Sequence, residues 1–108
     1  MIPEGYLDLL LAESSSFGEL LKRCRTLADR TQDSVASEAG ITAAYLSSLE
    51  RNEKLPSAST AFDLARVLNL TEDLVLQRIF ERMRERNADD LDAYRREFRE
   101  AAQAQSQP

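Results

Sequence analysis

Histidine is absent from this 108-residue chain and cysteine occurs once, at Cys24. A zinc centre built from His and Cys therefore lacks its ligands, and no intrachain disulfide can form. A reducing cytoplasm is the simplest compartment for such a chain. Glycine and proline number three each, while Leu, Ala, Glu and Arg are plentiful, a bias towards helix. No segment alternates at strand period, no internal repeat is present, and the fold class expected is all-α. No apolar run is long: "YLDLLLA" is too short to span a bilayer. The N-terminus lacks the basic region of a signal peptide. Also missing are an activated nucleophile, a phosphate-cradling Gly loop and a supported acid/base pair. Neither an enzyme nor a cofactor is expected, and Cys24 reads as a buried structural thiol on an apolar stripe.

The charge that is present is unevenly placed. Fourteen basic and nineteen acidic residues give a net charge of −5. Residues 17–70 balance, whereas 1–16 and 71–108 are acidic. The middle is the part least repulsive to a polyanion, but the balance alone does not suggest nucleic acid.

Local signals divide the chain into helices. Pro3 and Glu4 open a segment over 4–13. Ser16 with Glu19 forms a capping-box pattern ahead of a helix bearing Phe17, Leu20, Leu21, Cys24 and Ala28. Thr31 caps a short helix over 32–39, and Gly40 stands where a left-handed residue ends it. Thr42 caps the next helix, over 43–51, with Leu46 and Leu49 inward and Ala43, Ala44, Tyr45, Ser47 and Ser48 presented outward. Asn52 can take the left-handed stop. After Pro56 and Ser57 comes a helix lined by Ala61, Leu64, Ala65 and Leu68. Thr71 then caps one bearing Leu74, Val75, Ile79, Phe80 and Met83. A polar break over 87–90 precedes a last helix with Leu91, Tyr94, Phe98 and Ala101, and the "AQAQSQP" end is expected to fray.

The ordered set Arg25, Gln32, Val35-Ala36, Gly40-Ile41, Leu46, Leu49-Glu50, Pro56, Leu64-Ala65 and Leu68 resembles the lambda-repressor-like helix-turn-helix domain of the Xre/Cro transcriptional regulator family. The likeness covers residues 17–70, about half the chain. It implies a five-helix domain, here with an extra N-terminal helix in 1–16 and a C-terminal helical region in 71–108. Arg30 departs from the usual apolar residue, with Leu27 nearby to compensate. Asn52 replaces a usual Gly, and Leu55 a polar residue.

The resemblance implies that the second helix of the motif enters the major groove. The base-facing residues would then be Thr42, Ala43, Ala44, Tyr45, Ser47 and Ser48. Gln32 would approach a phosphate, and Arg51 and Lys54 would neutralise others. Arg25 and Glu50 would form a structural pair bracing the reading helix. Ala43 and Ala44 can touch thymine methyls but form no bidentate pairs, so direct readout is expected to be thin.

The function expected is a DNA-binding transcriptional regulator, a dimeric repressor acting by operator occupancy on double-stranded DNA. The homodimer contact is expected in the terminal helices, through the N-terminal "YLDLLLA" and, in the C-terminal helices, the register of Leu91, Tyr94 and Phe98; the alternative is that the two ends cover each other within one chain. Two alternatives share the fold. One is a DNA-binding antitoxin of a toxin–antitoxin pair, with a protein partner on the C-terminal helices. The other is an interaction adaptor without DNA binding. No membrane association is expected.

Overall fold

The computed structural model describes residues 16–83 and 88–106, and these form six α-helices with no strand among them. They are α1 (Phe17–Leu27), α2 (Gln32–Ala39), α3 (Ala43–Glu50), α4 (Ala58–Leu68), α5 (Glu72–Met83) and α6 (Ala88–Ser106). The expected segment over 4–13 lies outside the described residues.

The helix starts are built from one device. Ser16, Thr31, Thr42 and Ser57 are extended N-caps whose hydroxyls accept from the backbone N–H three residues on. Thr71 does the same for Leu74 at 3.3 Å. Each satisfies an amide that the helix itself leaves without a partner.

The ends of α1 to α4 are equally uniform. Among the described residues, those with positive φ are Asp29, Gly40, Asn52 and Asn69, one just past each of these helices. In every case the next residue's N–H bonds back to a carbonyl five positions earlier: Arg30 to Arg25, Ile41 to Ala36, Glu53 to Ser48 and Leu70 to Ala65. This is the Schellman stop. At Gly40, with φ 76°, an added Cβ would meet nothing within 4 Å. Glycine is suited there by conformation, not by lack of room.

Packing then joins the elements around one continuous core. It runs from Phe17, Leu20, Leu21 and Cys24 of α1 through Val35, Leu46, Leu49 and Leu64 to Val75, Ile79 and Phe98. Residues 71–106 thus share the core of 17–70. Gly18 marks the closest approach: a Cβ there would stand 2.5 Å from the Leu49 carbonyl and 2.7 Å from that of Glu50. Only a hydrogen lets α1 lie against the end of α3.

Three expectations need correction. Leu27 is 49% exposed and does not compensate for Arg30. Arg30 instead lies along α2, with Nη2 donating to Ser34 Oγ at 2.7 Å and to Glu38 Oε1 at 2.9 Å. α6 begins at Ala88, inside the break expected over 87–90, and continues to Ser106; its Ala and Gln residues are good helix formers. The apolar face of α6 is occupied by its own chain. Phe98 is 2% exposed and sets its ring edge-on to Phe62 at 5.6 Å. Tyr94 meets Phe80 at 6.3 Å. Phe98 is therefore not left over to face a second copy, while Tyr94 stays half-buried.

Candidate nucleic-acid interface

The motif expected to read DNA is α2, the Gly40 turn and α3. Its inner side is fixed by Val35, Leu46 and Leu49, each fully buried. α3 starts on Thr42, whose Oγ1 accepts from Tyr45 N at 3.0 Å. It stops at Asn52 by the turn already described. A helix of eight residues is too short to persist alone, so its orientation is set by these tertiary anchors.

The outward face is narrower than the sequence suggested. Thr42 and Ala44 are exposed, while Ala43, Tyr45 and Ser47 are half-buried. Ala43 and Tyr45 lean on the core. Ser48 is a correction: it is 7% exposed and donates its hydroxyl to the Tyr45 carbonyl at 2.8 Å. It lies one position from Ser47, which is about 100° around the helix and enough to turn it inward.

The cations expected at the rim are placed as follows. Arg51 and Lys54 are both exposed. Arg51 Nε donates to Glu53 Oε2 at 2.6 Å, and its Nη1 also donates to Ser47 Oγ. The Arg51 hydrogen bond holds the Glu53 carboxyl below the usual carboxylate range, and the same bond raises the Arg51 guanidinium. Lys54 Nζ stands 5.9 Å from the Tyr45 ring centroid, a cation–π arrangement.

Arg25, Gln32 and Glu50 converge behind the face. Glu50 Oε2 accepts from Arg25 Nε at 2.7 Å, and Glu50 Oε1 accepts from Arg25 Nη2 at 3.1 Å and from Gln32 Nε2 at 3.0 Å. Arg25 Nη1 donates onward to the Arg30 carbonyl at 2.9 Å. The Glu50 side chain is 4% exposed and that of Arg25 15%. The Glu50 hydrogen bond raises the Arg25 guanidinium, against a lowering by burial. The result is a link from α1 to both helices of the motif. Gln32 is turned towards this pair and not outward as expected.

Other ties were not legible in the sequence. Asn52 Oδ1 accepts from Gly18 N at 3.1 Å and its Nδ2 donates to Ser16 Oγ at 3.0 Å. Arg82 Nη2 reaches the Asn52 carbonyl at 2.9 Å from α5. Asn52 was expected only as a helix stop, and nothing local marks a partner thirty residues away.

Among the described residues no cluster of three His, Cys, Asp or Glu side chains could hold a metal ion. Among them too, no helix is long and apolar enough to cross a membrane.

Comparison with known proteins agrees with this geometry. A helix-turn-helix family model matches residues 21–75, from within α1 into α5. The uncharacterized HTH-type transcriptional regulator YazB of Bacillus subtilis (strain 168) is 36% identical over 61 residues, covering 56% of this chain and 88% of that protein. No solved structure matches the chain. With its capped α2, left-handed turn at Gly40 and braced α3, the chain belongs to the helix-turn-helix family.

Proposed function

We propose that this protein is a DNA-binding transcriptional regulator, a repressor that occupies its operator as a dimer and reads it with α3. The observation that carries the proposal is the two-sided character of α3. One side is pinned by Leu46, Leu49 and the Arg25–Glu50 pair. The other presents Thr42, Ala44 and half of Ser47 and Tyr45, with Arg51 and Lys54 beyond its end. Small exposed side chains allow close approach to base edges, and the flanking cations suit phosphates.

So thin a face cannot supply much base discrimination from one copy, and two linked half-sites add their contacts. A two-fold dimer prefers inverted half-sites with centres about one DNA turn apart, ~34 Å. Selection of bound fragments from random duplex DNA tests the reading. Enrichment of an inverted repeat is expected. Absence of any salt-sensitive duplex binding overturns it.

Two observations favour an adaptor as the second reading. Arg51 is already paired with Glu53, and Asp33 is exposed in the first turn of α2, where a phosphate would have to approach. An adaptor gives no salt-dependent DNA binding in the same titration.

A further inference from the structure

Residues 51–57 between α3 and α4 contain no helix or strand, yet two of their carbonyls are held from outside the motif. Arg82 of α5 donates to the Asn52 carbonyl at 2.9 Å. Tyr94 of α6 donates its hydroxyl to the Pro56 carbonyl at 2.9 Å, across thirty-eight positions of sequence. Glu53, Lys54 and Leu55 lie between these two anchors. The Tyr94 ring is set by its edge contact with Phe80, so the hydroxyl has a fixed base from which to reach the loop. Burial, and then Tyr45 and Glu97, push the Tyr94 phenol well above its ordinary range, and it remains a neutral donor. Tyr94 lies beyond the residues matched to the family, 21–75.

We infer that Tyr94 is a positioning residue for DNA binding: by holding the Pro56 carbonyl it fixes the loop that presents Lys54 to a phosphate. The inference rests on the reading of α3 as the DNA-facing helix. The physical reason is entropy. A cation on a loose loop must be ordered when it meets its phosphate, and that ordering subtracts from affinity. A loop tied at Asn52 and Pro56 is ordered in advance.

The test uses the 108-residue chain and a duplex of mixed sequence, because phosphate contacts do not depend on sequence. Tyr94→Phe keeps the ring and removes only the hydroxyl. It is expected to weaken duplex binding about three- to tenfold, the size of ordering one long side chain. The slope of its salt dependence is expected to stay parental, since Lys54 still meets its phosphate once ordered, whereas Lys54→Ala lowers the slope by about one unit. In a Lys54→Ala background the Tyr94→Phe change is expected to do nothing further.

Parental affinity in Tyr94→Phe overturns the inference alone, as does an undiminished loss in the Lys54→Ala background. A parent that binds no duplex at low salt overturns the reading of α3, and this inference with it.

Discussion

Arg25 and Glu50, twenty-five positions apart, meet through two N–H···O bonds of 2.7 and 3.1 Å, and the carboxylate of the pair is almost wholly withdrawn from water. A pair so shielded behaves unlike a surface ion pair, which contributes about 1 kcal/mol or less. Glu50→Ala strands the Arg25 guanidinium and the Gln32 amide, and is expected to cost about 3 kcal/mol. Replacing both charged partners with apolar residues is expected to cost less than either single change. A double-mutant cycle by urea unfolding measures this, and zero coupling returns the two residues to independent surface charges.

Gly18→Ala is expected to destabilise by about 1–3 kcal/mol or more, because the new Cβ overpacks the site. The nearest atoms are the backbone carbonyls of Leu49 and Glu50 and the Asn52 side chain, and the carbonyls cannot swing aside. Thermal unfolding checks it. A parental Tm would mean that α1 can slide away from α3 freely.

Ser47 and Ser48 are neighbours with different expected effects on DNA. Ser48 is buried and its hydroxyl already donates a hydrogen bond to the Tyr45 carbonyl, so Ser48→Ala is expected to leave the selected DNA sequence unchanged. Ser47 accepts from Arg51 and keeps a proton to donate. Ser47→Ala is expected to relax preference at one base pair by about 0.5–1.5 kcal/mol, the size of a single hydrogen bond. Fragment selection with each variant reads both outcomes; a shifted sequence preference in Ser48→Ala would refute the assignment.

Phe98→Ala is expected to destabilise the monomer by about 3–5 kcal/mol, as truncation of a buried Phe does. The ring is 2% exposed and stacked edge-on against Phe62. Urea unfolding with sedimentation separates the possibilities. Unchanged stability with a changed oligomeric state would make Phe98 an interface residue after all.

Cys24 is fully buried, and burial pushes its thiol up from 9.0 to about 11. The folded state therefore keeps a proton that the unfolded state loses first. The resulting stability is fully present below pH 9 and declines as pH rises towards 11. Cys24→Ser at high pH is expected to flatten that decline, as read from urea midpoints across this range. Thiol reagents should label the parent only as fast as it unfolds.

Much of this fold is written locally. A hydroxyl followed by an amide three residues on is a contact within one turn, so the starts at Ser16, Thr31 and Thr42 could be read directly. Gly40 and Asn52 were legible as stops for the same reason, since backbone conformation is a property of the residue itself. Asp29 and Asn69 do the same work, but their neighbours carry no comparable punctuation. The Arg25–Glu50 position was legible only through resemblance, because no local rule joins residues twenty-five apart.

The sequence by itself determined the all-helical class, the order of the helices and the place of the turn between α2 and α3, because caps, stops and apolar spacing act over a few residues. Only the tertiary structure decided which face each helix spends. A stripe such as Leu91, Tyr94 and Phe98 announces that something will cover it, but not whether the cover is α4 or another chain. Ser47 and Ser48 look alike in sequence and differ only in which one the core admits. The Asn52 and Pro56 carbonyls found their donors on α5 and α6 for the same reason: a long-range hydrogen bond is a matter of where two packed surfaces end, and packing is decided by the whole core at once.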